Sequence, residues 1–168
     1  TDLGTYRGGM TSLTAAVVTV SDRSHRGARE DATGPVAVTA LREAGFDCAD
    51  PVIIPDGADA VEAELRRLVA TGVRVIVTCG GTGVSARDLT PEGTRRVLDR
   101  EIPGIAERLR AEGAAETPLA ALSRGRSGVA GDALIVNLPG SPRAVASGMP
   151  LLVSIAAHVL SQLEGGDH

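Results

Sequence analysis

The sequence predicts an α/β fold of three layers, in which helices cover both faces of a mostly parallel sheet that includes one antiparallel hairpin. Two runs of strand length, residues 15–21 and 73–78, are dominated by apolar residues, as expected for strands that are covered on both faces. Segments with helical periodicity separate such runs, which is the alternation that parallel sheets require. A Gly131-Asp132 pair between two further apolar runs indicates the hairpin.

The first half of the chain is expected to contain three strands and two helices. The strands are predicted at residues 15–21, 46–54 and 73–78, and a polar loop occupies residues 22–35. The first helix covers residues 36–43 and ends at Gly45. The second begins at a capping-box pattern, Asp59 to Glu62, and ends at Gly72. Its apolar face consists of Val61, Leu65, Leu68 and Val69.

The second half is expected to supply two helices, the hairpin and a long C-terminal helix. Thr90 is predicted to cap a helix that has Pro91 at its first position, and a short helix covers residues 105–111. The hairpin strands are residues 127–129 and 134–138. The last helix begins after Ser141, and Gly148 and Pro150 are expected to kink or divide it. Its apolar stripe is Leu151, Leu152, Ile155, Ala156, Val159, Leu160 and Leu163.

Composition limits the possible functions. The chain has 168 residues and a net charge of −4, with one Tyr, one Phe and no Trp. The negative charge and the shortage of aromatic side chains argue against nucleic-acid binding. All 17 basic residues are Arg, which excludes a Schiff-base lysine and the lysine-dependent P-loop.

The sequence predicts a single domain over residues 13–168, preceded by a flexible, glycine-containing arm at residues 1–12. Cys48 and Cys79 lie far apart and are expected to be buried free thiols. No uninterrupted apolar run approaches about 18 residues and no leader pattern opens the chain, so we expect no membrane contact and a cytoplasmic location.

Polar and glycine residues collect where the predicted parallel strands end. In an open parallel sheet these ends form the crevice that holds a ligand. Asp56 ends the second strand within a Pro-Asp-Gly sequence. The other predicted binding residues at this edge are Ser21, Asp22, Gly80, Gly81, Thr82, Gly83, Pro139, Gly140, Ser141 and Pro142.

The segment Gly80 to Gly83 indicates a phosphate site. Glycines allow backbone N–H groups to approach an anion closely, and the hydroxyls of Thr82 and Ser21 can donate to it. The dinucleotide pattern fails at Ala86 and the Walker pattern lacks its lysine. A Gly-Gly-Thr-Gly segment by itself is also compatible with a tight turn.

Two aspartates are candidates for the chemistry. Asp88 can supply an oxygen ligand to Mg²⁺, and we expect it to have no local structural role because Thr90 is better placed to cap the following helix. Asp56 is compatible with both an ordinary turn and a functional site. None of His25, His158 and His168 forms a pair with metal-ligand spacing, so a zinc site is not expected.

Six segments in the same order resemble the molybdopterin adenylyltransferase family of molybdenum-cofactor biosynthesis, which includes the bacterial Mog and MoaB proteins and the gephyrin G domain. The segments are TVSDR at 19–23, DATGP at 31–35, IPD at 54–56, TCGGTG at 78–83, RDLTPE at 87–92 and NLPGSP at 137–142.

The resemblance implies the three-layer molybdopterin-binding fold and a homotrimer, in some members a hexamer. It implies Mg²⁺-dependent transfer of AMP from ATP to molybdopterin, giving adenylylated molybdopterin and pyrophosphate, with other enzymes of the pathway as partners. The two functional aspartates of the family correspond to Asp56 and Asp88. The alternative is a non-catalytic molybdopterin-binding carrier of the MoaB type. The chain has no room for the extra domains of the molybdenum-insertion enzyme, so we do not expect it to insert molybdenum.

Overall fold

The computed structural model describes residues 13–166, and the predicted arm at residues 1–12 therefore lies outside the described part of the chain. The strands are β1 (Thr14–Val20), β2 (Asp47–Cys48), β3 (Val52–Ile54), β4 (Val75–Cys79), β5 (Arg100–Glu101), β6 (Ser127–Ala130) and β7 (Ala133–Leu138). The helices are α1 (Asp22–His25), α2 (Gly34–Glu43), α3 (Ala58–Ala70), α4 (Thr90–Arg95), α5 (Pro103–Ala114) and α6 (Pro142–Leu163). A 3-10 helix spans Pro118–Leu122.

The described strands form one sheet in the order β2-β1-β4-β7-β6-β5. Strand β3 lies outside this order and pairs directly with β1. Strands β1, β2, β3, β4 and β7 run parallel, and β6 pairs antiparallel with both β7 and β5. The predicted Gly131-Asp132 turn is confirmed, since Ala130 pairs with Ala133 and Gly131 has a φ of +55°. The predicted fold class is confirmed.

The core lies on both faces of the sheet. Along β4, Val75 and Val77 belong to the cluster under α2, α5 and α6, whereas Ile76 belongs to the cluster under α3. Neighbouring strands alternate in the same way, because successive side chains of a strand point to opposite faces. The strand sequences contain few polar residues because apolar clusters cover both faces of the sheet.

Three local predictions are wrong in detail. The predicted strand 46–54 is two short strands, separated at residues 49–51, where Pro51 has no N–H for a ladder. Helix α3 begins at Ala58 with Gly57 as its N-cap, and Asp59 pairs with Arg96 instead of capping. Helix α4 has Leu89 as its N-cap, because Thr90 uses its hydroxyl elsewhere.

Helix α6 is continuous through the exposed Pro150, so the predicted division is wrong. Within residues 13–166 it is the helix with the length and apolar composition to cross a membrane. Helices in the core of a water-soluble protein meet the same criteria. One face of α6 packs against the sheet through Val145, Met149, Leu152, Ala156 and Leu160, as in a core helix.

Candidate active site

Four parallel strands end side by side at one edge of the sheet. Val20 is paired with Ile54, Thr19 with Cys79, and Cys79 with Leu138. The chain therefore leaves β1, β3, β4 and β7 at neighbouring points, as the sequence predicted, and the four polar segments that follow these strands share this edge.

Backbones approach closely where β4 ends. A Cβ at Gly80 would lie 2.5 Å from the Val20 carbonyl oxygen, and one at Gly140 would lie 3.2 Å from the Cα of Gly80. Gly80 also has a φ of +104°, a conformation that side chains rarely allow. The two predicted binding segments that contain Gly80 and Gly140 are thus in direct contact.

Thr90 holds the glycine-rich loop in place. Its hydroxyl donates to the Gly80 carbonyl at 2.8 Å, and its amide donates to the Gly81 carbonyl at 3.1 Å. Thr82 is buried, and its Oγ1 accepts from the Ser123 hydroxyl at 3.4 Å. Hydrogen bonds from Thr90 and Ser123 therefore hold the loop in place.

Asp88 lies against this loop. A Cβ at Gly83 would lie 2.9 Å from Asp88 Oδ2. The same oxygen accepts from the Ser85 amide at 3.0 Å, and the Asp88 amide donates to the Ser85 carbonyl at 3.0 Å. The expectation that Asp88 has no local structural role is therefore wrong, because its carboxylate closes a turn beside the predicted phosphate loop.

Arg124, which the sequence did not single out, connects these loops. Its guanidinium donates to the carbonyls of Gly83 at 2.8 Å and Asp88 at 2.6 Å, and its amide donates to the Thr82 carbonyl at 2.8 Å. It also pairs with Glu92 at 2.5 Å and, by this hydrogen bond, lowers the pKa of that carboxyl. All basic residues of the chain are Arg, so no local signal distinguishes this one.

Asp22 and Asp56 are held together at the ends of β1 and β3. The Asp22 amide donates to Asp56 Oδ2 at 3.1 Å, and the Asp56 amide donates to Asp22 Oδ1 at 2.9 Å. Burial raises the pKa of Asp56, and the charges of Asp22 and Asp88 act in the same direction, whereas the Asp22 amide and Arg87 oppose them. Asp56 is therefore a partly buried carboxyl whose charged form is disfavoured.

Ser21 has a structural role in this cluster. Its hydroxyl oxygen caps the short helix α1 by accepting from the Ser24 amide at 3.2 Å, and its own amide donates to the Ile54 carbonyl at 3.0 Å. The predicted role as a hydrogen-bond donor to an anion stays untested.

A cavity of about 500 Å³ opens beside the glycine-rich loop. Its other walls are α5, the 3-10 helix and the N-terminus of α6. The predicted site residues Ser21, Asp22, Asp56, Gly80 and Pro142 are not among the residues that line it. The predicted site residues that do line it are Gly81, Thr82, Gly83, Asp88, Pro139, Gly140 and Ser141.

The lining of the cavity includes both polar and apolar groups. Asp88 and the glycine-rich loop form part of its wall. The N-terminus of α6 also faces the cavity, where Ser141 caps the helix by accepting from the Ala144 amide at 3.3 Å. Helix N-termini favour anions. The apolar walls include Leu109, Leu119, Ala120, Leu122 and Leu138, and they can cover a flat ring system without aromatic side chains.

The carboxylates at this edge suit magnesium. Among the described residues, no group of three or more His, Cys, Asp or Glu side chains could hold a metal ion. Magnesium keeps several of its waters and needs only one or two carboxylates when substrate phosphates complete its coordination. Asp88, whose carboxylate lies beside Gly83, therefore fits this ion.

A family model described as the probable molybdopterin binding domain matches residues 16–158. The chain belongs to this family. The match contains each of the six sequence segments that carried the resemblance, which is thereby confirmed.

Proteins that are similar to this chain carry names from molybdenum-cofactor or molybdopterin biosynthesis. Molybdopterin adenylyltransferase of Haemophilus influenzae is 38% identical over 79% of this chain and 69% of its own length. Molybdenum cofactor synthesis protein cinnamon of Drosophila melanogaster is 38% identical over 90% of this chain. This chain spans only 26% of the length of cinnamon. The molybdopterin biosynthesis Mog protein of Mycobacterium ulcerans is 40% identical, with a TM-score of 0.86 over 90% of this chain and 99% of that structure.

Proposed function

We propose that this chain is a molybdopterin adenylyltransferase of molybdenum-cofactor biosynthesis, which transfers AMP from ATP to the terminal phosphate of molybdopterin. The observation that carries the proposal is the cavity bounded by the glycine-rich loop, Asp88 and the N-terminus of α6. The named Haemophilus influenzae relative, of which the chain covers 69%, supports it.

The reaction requires little proton transfer by the protein. A terminal phosphate oxygen of molybdopterin attacks the α-phosphorus of ATP, a new P–O bond forms, and the bond to pyrophosphate breaks. The attacking group is already anionic near neutral pH, so the protein has chiefly to bring two polyanions together in line. Backbone amides of Gly81 to Gly83 and the first turn of α6 are the groups we assign to the phosphates.

Asp88 is the residue we assign to Mg²⁺. When bound, this ion would neutralise charge on the ATP phosphates. Asp88 lies beside Gly83, which places a carboxylate next to the amides assigned to phosphate. Asp56 either provides a second carboxylate or positions the pterin through hydrogen bonds, and Asp22 holds it for either role.

Asp88→Asn tests the assignment. Asparagine keeps an oxygen that can accept from the Ser85 amide but removes the charge that binds magnesium. We expect the formation of adenylylated molybdopterin to fall on the order of 100-fold, while ATP binding changes far less. The measurement is turnover with purified protein, Mg²⁺, ATP and molybdopterin, together with calorimetric titration of ATP.

Asp50→Asn is the matched control, since Asp50 is an exposed carboxylate that pairs only with Arg42 among the described ion pairs. It should leave turnover unchanged. Equal turnover by Asp88→Asn and wild type would refute the role of Asp88. A folded wild type that binds molybdopterin but forms no adenylylated product would refute the transferase and favour the non-catalytic carrier.

Three further features stay predictions. The expected homotrimer, or hexamer, is tested by measuring the molar mass of the purified protein by light scattering. Contact with other enzymes of the pathway is measured by titration against each purified enzyme. The cytoplasmic location is measured by cell fractionation.

A further inference from the structure

The segment between the glycine-rich loop and Asp88 is exposed. Val84 is 72% exposed, and Ser85, Ala86 and Arg87 are exposed as well. The local hydrogen bonds of this segment close the turn between Ser85 and Asp88 but do not join it to the sheet. The Thr90 bonds to the carbonyls of Gly80 and Gly81 hold the end of this segment, and a contact at Gly83 and Asp88 themselves fixes its spacing from the loop further.

Arg124 supplies this contact with several donors at once. Two of its guanidinium nitrogens bind the carbonyls of Gly83 and Asp88, and the third binds Glu92 in the first turn of α4. The guanidinium is planar, presents its N–H groups in a fixed fork and stays charged. A rigid group that bridges two carbonyls sets the distance between them.

Arg124 is itself held by the neighbouring structure. Its amide donates to the Thr82 carbonyl. The adjacent carbonyls of Ser123 and Gly125 accept from Arg110 of α5, at 3.3 and 3.0 Å. The segment that carries Arg124 is thus tied to the glycine-rich loop on one side and to α5 on the other.

We propose that Arg124 is a positioning residue that sets the spacing between the phosphate-binding amides of Gly81 to Gly83 and the Asp88 carboxylate. The proposal rests on the function assigned above. Arg124 does not line the 500 Å³ cavity, and its three guanidinium nitrogens are all engaged with protein groups. It therefore acts through Gly83 and Asp88 and does not touch the substrates.

The test compares Arg124→Gln and Arg124→Lys with Arg96→Gln. Lysine keeps the positive charge opposite Glu92 but has no fork that spans two carbonyls. Arg96 is the matched control, because it pairs with Asp59 and Glu62 and is 47% exposed, and it contacts neither loop. All three variants are measured for hydrogen exchange of residues 81–92, affinity for Mg·ATP, and turnover.

Both Arg124 variants should speed amide exchange in residues 81–92 and weaken Mg·ATP binding about tenfold. Their kcat should fall on the order of 10- to 100-fold with little change in the KM for molybdopterin, because displacement of the reacting groups chiefly affects the chemical step. Arg96→Gln should match wild type in all three measurements.

Unchanged exchange and Mg·ATP affinity in a folded Arg124→Gln protein would overturn the proposal. Full activity of Arg124→Lys would also overturn it, since charge alone would then suffice. If Arg124→Gln fails to fold, Arg124→Lys decides the question. Absence of turnover in wild type would refute the assigned function instead, and exchange and Mg·ATP affinity would still test the positioning role.

Discussion

Gly81 is constrained twice in the glycine-rich loop. Its φ of +69° is rare for residues with a side chain, and a Cβ would lie 2.2 Å from the Thr90 hydroxyl oxygen. That hydroxyl holds the Gly80 carbonyl. A side chain at position 81 would therefore disturb the bond that fastens the loop.

We expect Gly81→Ala to lower the free energy of unfolding by about 1–3 kcal/mol and to weaken ATP binding. The measurements are denaturant unfolding and calorimetric titration of ATP. Gly104→Ala is the matched control. A Cβ at Gly104 meets no atom within 4 Å, and the residue lies in the first turn of α5 without a positive φ, so its unfolding free energy should change by less than about 0.5 kcal/mol. Equal stability of both variants would contradict the expectation.

Asn137 is a polar junction between three elements. It is only 3% exposed. Its amide nitrogen donates to the hydroxyls of Thr78 in β4 and Thr94 in α4, at 2.8 and 3.0 Å, and its oxygen accepts from the Arg126 amide at 3.0 Å. Asn137 therefore joins β7 to its parallel neighbour and to the helix behind the glycine-rich loop.

Asn137→Leu keeps a similar volume but leaves the two buried hydroxyls of Thr78 and Thr94 and the half-buried Arg126 amide without this partner. We expect the free energy of unfolding to fall by at least about 2 kcal/mol, since each unsatisfied buried group costs about 1–3 kcal/mol. Denaturant unfolding gives the value. Ser154→Ala removes one exposed hydroxyl on α6 and serves as the control, with an expected change within about 0.5 kcal/mol. A loss no larger than that of the control would show that the network adds nothing to stability.

Sequence signals predicted some element boundaries and failed at others for a common reason. The C-terminal helix begins where Ser141 and Pro142 indicate, because a cap and a first-turn proline act locally. Asp59 and Thr90 have the right residue type for a cap but are engaged with Arg96 and Gly80. A tertiary partner decided the role of each of these two side chains.

The pH dependence of the free energy of unfolding depends on ionisable groups that are buried in the core of the molecule. Cys79 lies in the central part of the sheet and is 1% exposed. Burial raises the pKa of its thiol to about 12, the Asp31 charge adds to this, and a hydrogen bond with Thr33 opposes it. In the unfolded chain the thiol ionises near pH 9. The neutral thiol is therefore favoured by folding, and its contribution is complete below pH 9 and lost between about pH 9 and 12.

Cys79→Ala should therefore be less stable than wild type at pH 8, because it leaves a cavity. The difference should shrink by about 1.4 kcal/mol for each pH unit above 9, since only wild type loses the thiol contribution. Denaturant unfolding of both proteins at several pH values measures this. Cys48 is present in both and cancels in the comparison. Parallel curves between pH 9 and 11 would contradict the predicted ionisation.

Sequence by itself determined the fold class, the strands that end at the site and the segments at that edge. Apolar periodicity and glycine positions are local properties of the chain, and six ordered segments specified the family. Asp88 and the Gly80 to Gly83 loop are therefore identifiable as candidate site residues from the sequence alone.

Tertiary structure alone decided how these parts are held. Arg124 is 36 residues from Asp88 and 41 from Gly83 in the chain, and the pairing of Asp22 with Asp56 spans 34. A hydrogen bond over such separations leaves no periodic or local trace in the sequence. It exists because parallel strands bring their carboxyl ends to one edge and because the antiparallel strand β6, which follows Arg124, begins at that edge.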